Sequence, residues 1–209
     1  MPIKQNEREY RMLWTDIQCR SVDDDRMIVE GYATTFNSPY TLYSSGGYTV
    51  REQVDPKAFE GCDMSDVILQ YDHTGKVLAR TRNKTLTLTV DERGLKIRAD
   101  LSGTEGGRQL YEEIKGGYID RMSLAFTVDQ QERLVTEDKE NGAIDVLRTI
   151  KRFKKLFDVS AVSMPANDAT EISARSFCDG LIAELEAERL SALYIAKRKL
   201  ALKMKLMEV

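Results

Sequence analysis

Leu86-Thr87-Leu88-Thr89-Val90-Asp91-Glu92-Arg93-Gly94-Leu95-Lys96-Ile97-Arg98-Ala99 is the stretch that decides the fold. Leu86, Leu88 and Val90 alternate with threonines, and Leu95, Ile97 and Ala99 alternate with Lys96 and Arg98. A period of two puts the apolar side chains of each arm on one face. Asp91-Glu92-Arg93-Gly94 predicts a tight connection whose glycine takes positive φ. The stretch therefore reads as a β-hairpin with one buried and one wet face, and the domain around it is built on strands.

Strand patterns continue upstream. Met27-Ile28-Val29-Glu30-Gly31-Tyr32-Ala33 is rich in β-formers and is broken by Asn37-Ser38-Pro39. Tyr40 to Tyr48, rich in Tyr, Ser and Gly, reads as an exposed loop. Val67-Ile68-Leu69-Gln70-Tyr71 is a short apolar strand ending at Asp72-His73-Thr74-Gly75. Residues 1–25 are polar, with an Asp23-Asp24-Asp25 run, and read as a flexible leader in which Tyr10, Leu13, Trp14 and Ile17 could dock.

Downstream, Ser102-Gly103-Thr104-Glu105 has the form of a capping box, and Leu110, Tyr111 and Ile114 share one helical face until Gly116-Gly117. Met122, Leu124 and Phe126 alternate with Ser123, Ala125 and Thr127, the pattern of a half-buried strand. Gln130 to Gly142 reads as a polar loop, followed by strands near Val146–Phe153 and Leu156–Val162 that end at Pro165-Ala166-Asn167. From Asp179 to Val209, Glu184, Glu186 and Glu188 come early and Lys197, Arg198, Lys199, Lys203 and Lys205 come late. That order complements a helix macrodipole and predicts one long helix outside the core, a packing arm or oligomer contact. Its apolar stripe is broken by Arg189, which argues against a membrane-surface role. The expected division is a leader over 1–25, a β-rich domain over 26–172 and a helical arm over 173–209.

The 209 residues are 42% hydrophobic and 31% charged, as in a soluble protein with one domain and an appendage. A net charge of −3 gives no reason to expect nucleic acid, and no apolar run reaches the ~20 residues of a membrane span. The N-terminus lacks the apolar region of a signal peptide, so a cytosol-made protein is expected. Cys19, Cys62 and Cys178 form no CxxC pair and read as reduced thiols. His73 is the only histidine, which makes a common zinc site improbable and leaves it as the candidate base near neutral pH. No metal or cofactor is expected.

Ser123 is one of twelve serines, and a wet strand face would ordinarily explain it. His73, at the end of an apolar strand, reads equally as a surface histidine. Asp158 interrupts Leu156-Phe157-Asp158-Val159, so it either marks an exposed strand end or is held by a partner inside, because an unpaired buried charge is costly. A hydroxyl, an imidazole and an orienting carboxylate are the parts of a serine hydrolase. Spacing alone does not join them, and the absence of G-x-S-x-G argues against the α/β-hydrolase form and a small-molecule esterase.

The succession of segments resembles the HK97-type prohead (capsid maturation) serine proteases of tailed phages over about residues 26 to 170. Val29-Glu30-Gly31-Tyr32-Ala33 resembles the family's opening strand. A strand ending in His73, Val77-Leu78-Ala79-Arg80 and the hairpin follow. Gly117-Tyr118-Ile119-Asp120-Arg121-Met122-Ser123-Leu124-Ala125-Phe126 is similar to the nucleophile strand, and Asp158-Val159-Ser160-Ala161-Val162-Ser163-Met164-Pro165-Ala166 to the closing acid segment. Thr74, Ala79 and Ala125 depart from the family, where Asp, Gly and Gly are frequent.

The resemblance implies an α+β fold with a β-rich, barrel-like core and peripheral helices, similar to herpesvirus assemblins, plus the long C-terminal helix. It implies Ser123 as nucleophile, His73 as general base and then acid, and Asp158 as the group that orients the imidazole. The implied activity is a serine endopeptidase that cleaves scaffold or major capsid protein segments, and itself, inside the assembling prohead in the host cytoplasm. A homo-oligomer is compatible with it; nucleic acid and membrane are not expected partners. The alternative is a non-catalytic assembly factor on the same fold that binds coat protein through its C-terminal helix.

Overall fold

The computed structural model describes residues 7–13, 17–20, 26–163 and 168–207. Its elements in chain order are β1 (Glu9–Leu13), β2 (Ile17–Arg20), β3 (Ile28–Thr35), β4 (Tyr40–Ser45), β5 (Tyr48–Val54), β6 (Ile68–Tyr71), β7 (Thr74–Arg80), β8 (Leu86–Val90), β9 (Gly94–Asp100), α1 (Glu105–Lys115), β10 (Arg121–Glu137), β11 (Ile144–Val162) and α2 (Asp168–Met207). The Asp23–Asp25 run, Trp14 and the Pro165-Ala166-Asn167 close lie outside the described residues.

The fold is α+β and strand-rich. A seven-stranded sheet runs β1-β10-β11-β5-β4, with β6 and β7 attached beyond β11, and a four-stranded sheet runs β2-β3-β9-β8. β11 is the organising strand. One edge pairs antiparallel with β10, and the other takes β5 along Ile144–Ile150 and β6 along Asp158–Ala161, both parallel. Among the described residues no pairing closes either sheet, so the barrel-like core expected above is corrected to two open sheets that end on β1 and β4, and on β2 and β8.

The β8–β9 hairpin forms in the register its alternation predicts, from Leu86↔Ala99 to Val90↔Leu95. Gly94 is needed for a different reason from the one expected. Its φ is not positive; instead, β3 passes so close that a Cβ there would lie 2.0 Å from the Thr34 carbonyl oxygen. Leu95, Ile97 and Ala99 join Val29, Ala33, Leu124, Phe126, Phe153 and Val159 in one apolar core, onto which Leu110 and Ile114 of α1 pack. Helix α1 starts two residues later than the capping-box reading placed it. Thr104 is its N-cap and accepts from the Gly107 N–H at 3.0 Å, while Ser102 donates to Asp100.

Four other expectations change. The Tyr40–Tyr48 stretch contains β4, which pairs with β5 around a Gly46-Gly47 turn. The polar loop from Gln130 is strand as far as Glu137, because the exposed outer half of β10 keeps pairing with β11, whose other edge takes β5. Part of the expected leader is strand, since β1 pairs with β10 and β2 with β3. Helix α2 begins before Asp179; Phe177, Cys178, Leu181 and Leu185 pack on Val50, Ile144 and Val146, and its later half is exposed.

Candidate active site

Ser123 stands on β10 and Asp158 on β11. Across the pair, Ser123 faces Ser160 and Ala125 faces Asp158, so serine and carboxylate are diagonal neighbours on one face. His73 comes from the far side of β11, in the two-residue turn that joins β6 to β7. Both turn residues are left-handed, with φ of 47° at Asp72 and 58° at His73, the conformation of a tight hairpin of type I′. Asp72 ties that turn to the end of β11: its N–H donates to the Ala161 carbonyl at 3.0 Å, and its carboxylate accepts from the Ser163 N–H at 3.3 Å.

The imidazole spans the two strands. His73 Nε2 lies 2.5 Å from Ser123 Oγ, and His73 Nδ1 lies 2.5 Å from Asp158 Oδ1. Ser160 Oγ donates to the same Oδ1 at 2.9 Å. The Asp158 carboxylate is thus held by partners inside the protein, one of the two alternatives open from the sequence. Ser123 and Asp158 are both 0% exposed, so the Ser123 face is not the wet face its alternation predicted. Both faces of β10 are buried from Met122 to Thr127.

Part of that cover is β1. Its register, Tyr10↔Ala125 and Met12↔Ser123, lays it along the free edge of β10. The Tyr10 ring meets the His73 ring edge-on at 4.9 Å between centroids, Ser123 Oγ donates to the Arg11 carbonyl at 3.0 Å, and Arg8 pairs with Asp158. Arg8 also lies over the Phe157 ring at 4.5 Å.

On the opposite face the same strands build a buried ionic cluster. Arg11 donates to Glu52 at 2.8 Å, and Arg148 donates to Glu52 at 2.5 Å and to both oxygens of Glu9 at 2.7 and 2.8 Å. Tyr40 donates to Glu52, and Gln131 accepts from Arg148 at 2.6 Å. Burial works against the Glu52 carboxylate, but the Arg11 and Arg148 guanidiniums outweigh it and hold its pKa below the usual range. Burial beside that carboxylate also pushes the Tyr40 phenol well above its ordinary value.

Cysteine offers no rival nucleophile. Burial pushes the Cys62 and Cys178 thiols up to about 11, so neither is a thiolate at neutral pH. The structure thus brings together all three residues singled out from the sequence. It adds Ser160, which sat in the closing segment two places from Asp158 without being assigned a role. It also adds Tyr10, which the leader offered only as a residue that could dock, and Arg8, for which the leader carried no local signal.

A hydroxyl, an imidazole and a carboxylate in a hydrogen-bonded row have the geometry that serine hydrolases use. The chain belongs to the caudovirus prohead serine protease family, whose profile it matches over residues 15–180, a stretch that contains His73, Ser123 and Asp158. A relative, the prohead protease of Enterobacteria phage HK97, is 27% identical over 163 residues, which is 76% of this chain and 64% of that protein. The chain thus spans a little under two thirds of that relative's length. No solved structure matches it.

Proposed function

We propose that the chain is a serine endopeptidase of phage head maturation, acting on segments of the major capsid protein or scaffold, and on itself, inside the assembling prohead. The row Ser123–His73–Asp158, with contacts of 2.5 Å on both sides of the imidazole, carries the reading. Ser123 Oγ attacks the scissile carbonyl as His73 Nε2 takes its proton. Asp158 fixes the tautomer with the proton on Nδ1 and balances the imidazolium that forms. The imidazolium then protonates the leaving amine, and water repeats the sequence on the acyl-enzyme. Kinship of fold with the herpesvirus assemblins, a protease domain over residues 26–172 and a C-terminal helical arm over 173–209 belong to the same reading.

The test is co-expression with the neighbouring coat protein, followed by intact mass of both chains. Defined truncations that vanish in Ser123→Ala and His73→Ala are expected; truncations that persist in either variant would falsify the assignment. A non-catalytic assembly factor is the second reading, favoured by one feature. The outer half of α2 exposes Leu190, Leu193, Tyr194, Leu200, Leu202 and Met204. Intact masses in every sample, with the two proteins co-purifying, would select it.

A further inference from the structure

We propose that the edge of β10 covered by β1 is the docking edge for an extended substrate peptide, and that residues 8–13 fill it in cis as a strap that holds the catalytic row idle. The proposal rests on the endopeptidase reading above and goes beyond it by naming the substrate's mode of binding and a latency device.

Each member of the row is engaged by the strap. Arg8 pairs with Asp158, Tyr10 packs on His73, and the Arg11 carbonyl accepts from Ser123 Oγ at 3.0 Å. The last contact has a chemical consequence. A hydroxyl has one proton and a carbonyl can only accept, so a proton given to Arg11 is withheld from His73 Nε2. Arg8 draws on the carboxylate charge that would otherwise stabilise the imidazolium. With Ser123 0% exposed, no external carbonyl reaches its oxygen while the strap is in place.

The same geometry describes what replaces it. The other edge of β10 is taken by β11, and among the described residues β1 alone pairs on this one. A peptide added there by strand pairing carries its main chain past Ser123, with the Arg11–Met12 position of the strap beside the nucleophile. The side chains that leave with β1 are Glu9, bound to Arg148, and Arg11, bound to Glu52. Arg148 and Glu52 are partners across β11 and β5 and stay behind, buried. They favour a peptide with an acidic residue two positions before a basic one, because that order restores the hydrogen bonds Arg148 and Glu52 now make with Glu9 and Arg11. One charge alone unbalances the buried pair, and the two exchanged oppose it. The strap lies before the stretch matched by the family profile, residues 15–180.

The test uses the full chain and a serine-reactive fluorophosphonate, with the adduct located by peptide mass. Arg8→Ala/Tyr10→Ala removes two strap contacts without unpairing the buried cluster. It is expected to label at Ser123 about tenfold faster than the parent, as the open population rises. A peptide of the sequence Glu7–Leu13, added in trans, is expected to slow that labelling, and a version with its Glu9 and Arg11 exchanged is expected to be about tenfold weaker. Equal labelling of Ser123 in parent and variant overturns the strap while leaving the endopeptidase reading intact. No labelling at Ser123 in either chain overturns both. A measurement independent of the variant is amide hydrogen exchange of the parent chain. Excess peptide is expected to deprotect Glu9–Leu13, and unchanged protection overturns the proposal.

Discussion

The Arg148 guanidinium donates to the Glu52 carboxylate at 2.5 Å across β11 and β5, with both side chains shut away from water. The pair sits at a junction. Along β5, Val50 joins the α2 cluster and Val54 the main core, with Glu52 between them. Along β11, Val146 and Ile150 bracket Arg148 in the same way. The charges therefore divide one sheet face into two apolar territories, and Phe177 of α2 covers Arg148 with its ring at 4.1 Å. Through Glu9 and Arg11 the cluster also anchors β1, which couples the N-terminal strand to the helix-bearing side of the sheet.

Glu52→Gln tests how much the cluster supports. The substitution keeps the shape but leaves Arg11 and Arg148 with Glu9 as their shared carboxylate. Breaking one partner out of a buried ionic group costs about 3–5 kcal/mol. Chemical denaturation is expected to show a loss of that order with an unchanged slope; a loss under about 1 kcal/mol would mean that water reaches the site.

The same carboxylate sets an acid limit. Its folded pKa is below the ordinary value of 4.5, held there by Arg11 and Arg148 against the opposing effect of burial. As pH falls below 4.5 the unfolded chain takes up a proton that the folded chain refuses. The stabilisation is therefore complete above that pH and is lost progressively as pH falls towards the folded value. Stability measured against pH is expected to decline more steeply in the parent than in Glu52→Gln below this point, and parallel curves would remove Glu52 as the cause.

What the sequence made legible follows from range. The β8–β9 hairpin and α1 are written in periods of two and of 3.6 within one short stretch, and both form there. The outer half of β10 was not legible, because a strand wet on both faces alternates nothing. Asp158 was conspicuous as a charge among apolar residues, but joining it to Ser123 and His73 needed the resemblance, since the contacts close 85 and 50 residues along the chain. The Arg11–Glu52–Arg148 cluster joins partners 41 and 96 residues apart, and in sequence each looks like an ordinary surface charge. Burial is what makes them distinctive, and burial is a property of the assembled sheet.

Gly94→Ala tests the contact between β3 and β9. A Cβ would meet the Thr34 carbonyl oxygen at 2.0 Å, and that atom is backbone inside the sheet, so relief requires the strands to separate. Overpacking of this kind costs about 1–3 kcal/mol or more. The thermal midpoint is expected to fall by several degrees, whereas a Gly103→Ala control, with open space around it, should stay near the parent value. Equal midpoints would show that β3 can shift without loss.

Asp158→Asn separates charge and tautomer from mere shape. With its amide N–H turned to His73 Nδ1, the imidazole must carry its proton on Nε2, which then faces Ser123 Oγ and cannot accept from it. In a triad of this kind the exchange costs about 10⁴-fold in turnover while leaving the geometry in place. Ser160→Ala is the milder counterpart. It removes one of the hydrogen bonds on Oδ1, 2.9 Å long, and leaves the carboxylate charge. Its expected effect is about 1 kcal/mol, or roughly fivefold in turnover. Peptide turnover at saturating substrate for the two variants is the measurement. An Asp158→Asn chain that retained more activity than Ser160→Ala would show that the carboxylate positions the strand rather than the imidazole.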